Sequence, residues 1–223
     1  MGFRLRDDLH YCVAGQRAIF LDVVADRYFT LPRFADIAFQ RVARGAPIGG
    51  DDESALAWLT RQGLLLPDAG AAVPWPGAPL PRALHDSFAA AGTAVPLQVL
   101  ASAVLMQIRA EWMLRRWPFA DVISRLRALK PAGSGPAGAA EGARVAAIAR
   151  AFRQTRFLFR PGNRCLARAL GFALCAYRAR VSPSLVFGVR TNPFVAHCWL
   201  QSGDRIVHDD SGQAMLFTPI MVV

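Results

Sequence analysis

Apolar and polar positions divide this chain into stretches of period two and stretches of helical period. Near the amino terminus, His10-Tyr11-Cys12-Val13, Ala18 to Val23 and Arg27 to Leu31 read as three short strands, separated by turns at Ala14-Gly15-Gln16-Arg17 and Val24-Ala25-Asp26. Two helical patterns follow, from about Phe34 to Arg44 and from Asp51 to Gln62; the second opens on acidic residues and stops at Gly63. Proline then dominates through Pro67-Asp68-Ala69-Gly70 and Val73 to Pro81, which can continue neither a helix nor a central strand and predicts an extended connector. Helical blocks are expected at about 82–130 and 142–158, with Pro131 to Gly138 as a loop between them. The apolar run Ala94 to Ile108 reads as a buried helix, because Pro96, Gln98, Ser102 and Gln107 interrupt it and it falls short of the ~20 residues of a membrane span.

The last third carries the candidate chemistry. Pro161-Gly162-Asn163 breaks the preceding segment and offers Asn163 as an N-cap, so Cys165 falls in the first turn of a helix running to about Arg178. Unpaired backbone N–H groups and the positive end of the helix dipole stabilise a thiolate there, Arg164 and Arg168 push the same way, and the same donors can hold an oxyanion. Cys12, Cys175 and Cys198 read as small core thiols. In Val195 to Gln201, strand alternation places Val195, His197 and Trp199 on one face, and Arg205 to Asp210 is the partner strand. Register decides which carboxylate reaches the imidazole. A two-residue Gly203-Asp204 turn sets Asp209 opposite Cys198, away from His197, and favours Asp210; a three-residue loop brings Asp209 opposite His197 or Trp199. The longer loop, with Asp209 as partner and Asp204 as a turn residue, is the expectation. Cysteine, histidine and aspartate in this order match a thiol nucleophile, its base and the group that orients the base.

Composition narrows the class. The 223 residues, 53% hydrophobic, have room for two small domains. The four cysteines lack C-x-x-C spacing and no signal-peptide pattern opens the chain, so no disulfide framework is expected and a cytoplasmic location is. A net charge of +10 and a pI near 10.8 suggest nucleic acid until the charge is apportioned. Residues 1–80 hold 8 basic and 9 acidic groups, whereas residues 81–223 hold 18 and 7. The helix that would have to read DNA begins Asp51-Asp52-Glu53, which argues against phosphate contact. The arginines instead provide a solvated surface or one for an acidic partner. No metal is expected, because the adjacent His197 and Cys198 point to opposite faces of a strand; no G-x-S-x-G elbow and no phosphate-binding loop are present, so no cofactor is expected.

Arg164-Cys165-Leu166-Ala167-Arg168-Ala169-Leu170, Leu185 to Arg190 with its Gly188-Val189-Arg190, Pro193-Phe194 and Ala196-His197-Cys198-Trp199, followed by the Asp209 segment, resemble the maturation protease of lasso-peptide biosynthesis, a B-type protein of the transglutaminase-like cysteine protease group. Cys198 stands where that group usually has a small residue, and His208 where asparagine often precedes the aspartate. The resemblance implies an α+β protein with a small winged-helix-like leader-recognition domain at 1–68, a Pro-rich linker at 69–81, and a transglutaminase/papain-like cysteine protease domain at 82–223 whose nucleophile helix packs on an antiparallel sheet. It implies Cys165, His197 and Asp209 as catalytic residues. It also implies leader binding as an added strand beside Arg27 to Leu31, with Tyr28, Phe29, Leu31 and Trp58 forming the groove. The expected partners are the precursor peptide leader and an asparagine-synthetase-like macrolactam-forming cyclase, with no nucleic acid. The alternatives are acyl transfer to an amine on the same scaffold and a non-catalytic precursor-binding chaperone.

Overall fold

The computed structural model describes residues 2–68, 85–86, 94–131, 139–158, 165–209 and 213–223. The linker at 69–81, most of the Pro131 to Gly138 loop, the Asn163 cap, Arg164 and Asp210 lie outside the described residues.

At the amino-terminal end, β2 (Leu9–Ala14), β3 (Arg17–Asp22) and β4 (Arg27–Thr30) form an antiparallel meander in that order. Strand β1 (Phe3–Leu5) pairs separately with β5 (Leu65–Pro67), bracketing helices α1 (Arg33–Ala43) and α2 (Gly50–Arg61). Alternation sends Leu9, Tyr11, Ala18, Phe20 and Leu31 to one face, where they pack with Ala35, Phe39, Leu56 and Leu59 of the two helices. The opposite face, Cys12, Ala14, Ile19, Leu21 and Val23, is buried in the core of the larger part of the molecule. A sheet covered on both sides explains why these strands carry so few polar residues.

That larger core is built by α3 (Leu97–Arg116), α4 (Phe119–Leu129), α5 (Ala139–Gln154) and α6 (Cys165–Arg178) against a five-stranded sheet. The sheet contains β7 (Ser184–Arg190), β8 (Val195–Ser202), β9 (Arg205–His208), β10 (Thr218–Val222) and β6 (His85–Asp86), ordered β10-β7-β8-β9-β6. The expected helical block at 82–130 is interrupted twice. His85–Asp86 pairs parallel with β9, because the open edge of β9 offers backbone partners that outweigh helical propensity over two residues. Pro118 forces Trp117 into extended backbone and ends α3. Helix α3 is also less buried than its apolar run implies: Ala103, Met106, Gln107, Ala110 and Met113 face inward, while Leu97, Leu105, Ile108 and Trp112 are exposed. No helix among the described residues is long and apolar enough to cross a membrane.

Candidate functional site

Helix α6 begins at Cys165, half-buried against the same core cluster that holds Cys198. His197, 7% exposed, sits on the neighbouring β8 and pairs with Gly188 of β7. A side chain at 188 is excluded by close approach: a Cβ there would lie 2.6 Å from Trp199 Cζ3 and 3.0 Å from Phe217 Cβ. The glycine therefore makes room for the two rings that flank the imidazole, with centroids 6.3 Å (Trp199) and 5.1 Å (Phe217) away. Trp199 is itself fixed by its indole N–H donating to Gln201 Oε1 at 3.2 Å.

The hairpin corrects one expectation and reaches the expected pairing by another route. Ser202 pairs with Arg205, so the turn is the two-residue Gly203-Asp204, with Gly203 at φ 58°, a left-handed value that glycine adopts without strain. The three-residue loop is wrong. Register nonetheless shifts between Gln201↔Ile206 and Leu200↔His208, because Val207 is an extra residue, a β-bulge. Val207 and His208 consequently both join the α6 side of the sheet, and Asp209 returns to the face of His197. Its Oδ1 lies 2.7 Å from His197 Nε2, and its Oδ2 accepts the Ala214 N–H at 2.7 Å. Behind it His208 stacks on Phe172 at 5.0 Å; burial, reinforced by the Arg168 charge, pulls its pKa down to about 3, so it brings no charge to the site.

The electrostatics favour a charged pair. The Cys198 thiol donates to the Cys165 thiolate and outweighs the opposing effect of burial; His197 and the Cys198 backbone N–H add to it, and the Cys165 pKa falls to about 4. Burial works against a charged His197, but the hydrogen bond to Asp209 and the contact with Cys165 override it and raise its pKa to about 9. Between those values the site holds thiolate and imidazolium. By contrast, burial pushes Cys12 up to about 12 and raises Cys175. The contribution of Cys198 was missed from sequence, where it reads as a core thiol; its position next to His197 was the available signal.

The residues expected to line the leader groove do not form one patch. Phe29 stacks on Phe20 at 5.2 Å, Leu31 is buried, and Trp58 meets the exposed Phe34 edge-on at 5.7 Å, all on the α1–α2 side. Tyr28 points to the other side, its ring 5.6 Å from Phe194, close enough to Cys198 and Cys165 that their charges join burial in pushing its phenol pKa up. Phe194, Met215 and Leu216 are exposed near the ends of the segments carrying His197 and Asp209, an apolar rim that the sequence pattern did not single out. Among the described residues no group of three or more His, Cys, Asp or Glu could hold a metal ion.

Residues 104–222, more than half of the chain and including Cys165, His197 and Asp209, match the family model described as the transglutaminase-like superfamily. No curated protein and no solved structure matches. The scaffold fits a cysteine protease or an acyltransferase, and a thiolate at a helix start, an imidazolium and a buried carboxylate supply what either reaction needs. By the extent of that match, the chain belongs to the transglutaminase-like superfamily.

Proposed function

We propose that the protein is a leader peptidase of lasso-peptide biosynthesis, which binds the leader of a ribosomal precursor and cleaves it from the core before a partner cyclase closes the macrolactam. The observation that carries the catalytic part is the Cys165–His197–Asp209 arrangement, with its thiolate at the start of α6. The Cys165 thiolate attacks the scissile carbonyl, and backbone N–H groups at the head of α6 hold the oxyanion. The His197 imidazolium then protonates the leaving amine while Asp209 keeps the ring oriented. Water, deprotonated by the neutral imidazole, releases the leader from the acyl-enzyme.

The recognition part rests on β4, which has no partner on its outer side among the described residues. In this reading β2–β4 and the two helices act as a winged-helix-like recognition element, and the leader adds as a strand along Arg27–Thr30. Phe29 and Trp58 supply side-chain contacts on one side and Tyr28 leads the peptide towards Cys165 on the other. Incubating the full chain with the peptide encoded by a neighbouring short reading frame tests this. Free leader and core should appear with the wild type and not with Cys165→Ala. A product carrying an added amine, such as hydroxylamine, would favour acyl transfer, and binding without cleavage would favour a chaperone.

A further inference from the structure

Lys130 is the one lysine among 26 basic residues, in a chain that otherwise uses arginine. It follows α4, where Pro131 bars its backbone from the helix and turns it to ψ 124°, and it lines a cavity of about 520 Å³. Arg109 of α3, Arg178 at the end of α6 and Arg180 just beyond line the same cavity, with Met106, Leu174 and Tyr177 as its apolar wall. No Asp or Glu is among the described lining residues, and no ion pair among the described residues uses any of these cations. Arg6, Arg17 and Arg41, by contrast, pair with Asp22, Asp36 and Asp52. Helix dipoles account for part of the arrangement, since Lys130 and Arg178 each close a helix. They do not account for Arg109, which lies midway along α3, or for the convergence itself: like charges repel, and burial already lowers the pKa of the half-buried Lys130. An anion in the cavity removes both penalties.

We propose that this cavity binds a small phosphoanion, a molecule carrying a di- or triphosphate group. Its volume is that of a small-molecule site rather than of a protein interface. Guanidinium groups pair with phosphate oxygens in bidentate fashion, and the ammonium adds a compact point charge. A single phosphate monoester carries only about −2, so matching Arg109, Lys130, Arg178 and Arg180 takes more than one phosphate group. The apolar wall separates two sources of that chemistry. An inorganic polyphosphate meets the cations alone, whereas a nucleoside triphosphate also covers Met106, Leu174 and Tyr177. Helix α6, 14 residues long, sets Arg178 about 20 Å from Cys165, so the cavity stands apart from the reacting groups and its occupancy is independent of the peptidase reading.

A single lysine makes the test direct. The full chain is acetylated with an N-hydroxysuccinimide ester alone or with excess tripolyphosphate, adenosine triphosphate or citrate, and modification of Lys130 is read by peptide mass; calorimetry at physiological ionic strength gives the affinities. One or both phosphate compounds should protect Lys130 and bind, and citrate should do neither. Arg109→Ala and Arg178→Ala should each weaken binding about 10-fold, because each removes a charged hydrogen-bond donor from the phosphate. Arg61→Ala, which removes an exposed charge at the end of α2, should leave binding unchanged. Tighter binding of adenosine triphosphate assigns the ligand an organic part; tighter or equal binding of tripolyphosphate assigns an inorganic polyphosphate. Lys130 left unprotected by both phosphate compounds, equal protection by citrate, or an Arg61→Ala loss as large as that of Arg109→Ala would each overturn the proposal. Protection is read on the wild type, so the answer stands even if a substituted chain misfolds.

Discussion

Replacing Asp209 with asparagine removes the carboxylate charge and one hydrogen-bond acceptor while the side chain keeps its size. Both carboxylate oxygens accept: Oδ1 lies 2.7 Å from His197 Nε2 and Oδ2 is 2.7 Å from the Ala214 nitrogen. Asparagine has one acceptor and one N–H2 group, so one of these two donors must face another donor in a site where the Asp209 side chain is 2% exposed. The lost bond to the imidazolium is worth about 1.5–3 kcal/mol and the donor left unpaired about 1–3 kcal/mol. The first affects the reaction and the second mainly stability, so kcat/KM should fall about 10- to 100-fold near pH 6. The sign of the pH effect follows from the pair. Without the carboxylate, the His197 pKa drops from about 9 towards or below its ordinary 6.5, so imidazolium is lost as pH rises above that value rather than above 9. At pH 8 a group with pKa 6.5 is about 3% protonated, and the deficit relative to wild type should widen by a further factor of roughly twenty between pH 6 and pH 8. Initial rates of precursor cleavage across that range, with a urea midpoint measured alongside, check both parts, and Asp210→Asn serves as control with full activity. A wild-type to Asp209→Asn ratio that stays flat from pH 6 to pH 8 would show that the carboxylate does not hold the imidazolium.

Three further outcomes can be measured directly. At pH 5.5 iodoacetamide should alkylate Cys165 while sparing Cys12 and Cys175, since the first thiol ionises near 4 and the others are raised; comparable labelling of all three in peptide maps would contradict the charged pair. Gly188→Ala forces a 2.6 Å contact with Trp199 and should cost about 1–3 kcal/mol in urea unfolding with a loss of activity, and an unchanged midpoint would show that the ring has free room to move. Residues 1–68 expressed alone expose Ile19, Leu21 and Val23 on one face of the meander and should self-associate in size-exclusion chromatography; a stable monomer would mean that this face does not need the shared core.

Elements with a strong period were legible. The three amino-terminal strands, both following helices and the Cys165–Arg178 helix all lie where alternation and breakers put them, within one or two residues at most ends. Strands β1 and β10 were not read, since three residues of β1 carry no period and Thr218-Pro219 opens β10 with a poor strand former. The bulge at Val207 was hidden for a different reason. Ile206-Val207-His208 alternates as well with an extra residue as without one, and only the requirement that His208 fit against Phe172 and Phe152 selects the shifted register. The carboxylate that bonds His197 was therefore named through the wrong turn. Similarly, the groove residues were taken together from the resemblance to a leader-recognition element, although Tyr28 and Phe29, adjacent on a strand, necessarily face opposite ways.

Burial of the meander on both faces changes how substrate capture would act on Cys165. A recognition element held only by a flexible connector raises the local concentration of substrate by an amount set by connector length. Here the element is seated: Cys12, Ile19 and Leu21 lie in the same core as α3 and α6, and Tyr28 touches Phe194. The turn at Gly15 approaches Thr191 so closely that a Cβ would sit 2.6 Å from its Oγ1. Fixed geometry, rather than tethering, would then align a peptide on β4 with the nucleophile, and the covalent connection through residues 69–81 becomes dispensable once the protein has folded. A protease site inserted in that segment and cut after purification tests this. The nicked halves should co-elute and process precursor at close to the uncut rate, because an apolar interface continuous with the core holds them together. Separation of the halves on a sizing column, or a cleavage rate that collapses on nicking while alkylation of Cys165 persists, would return the connector to the role of tether.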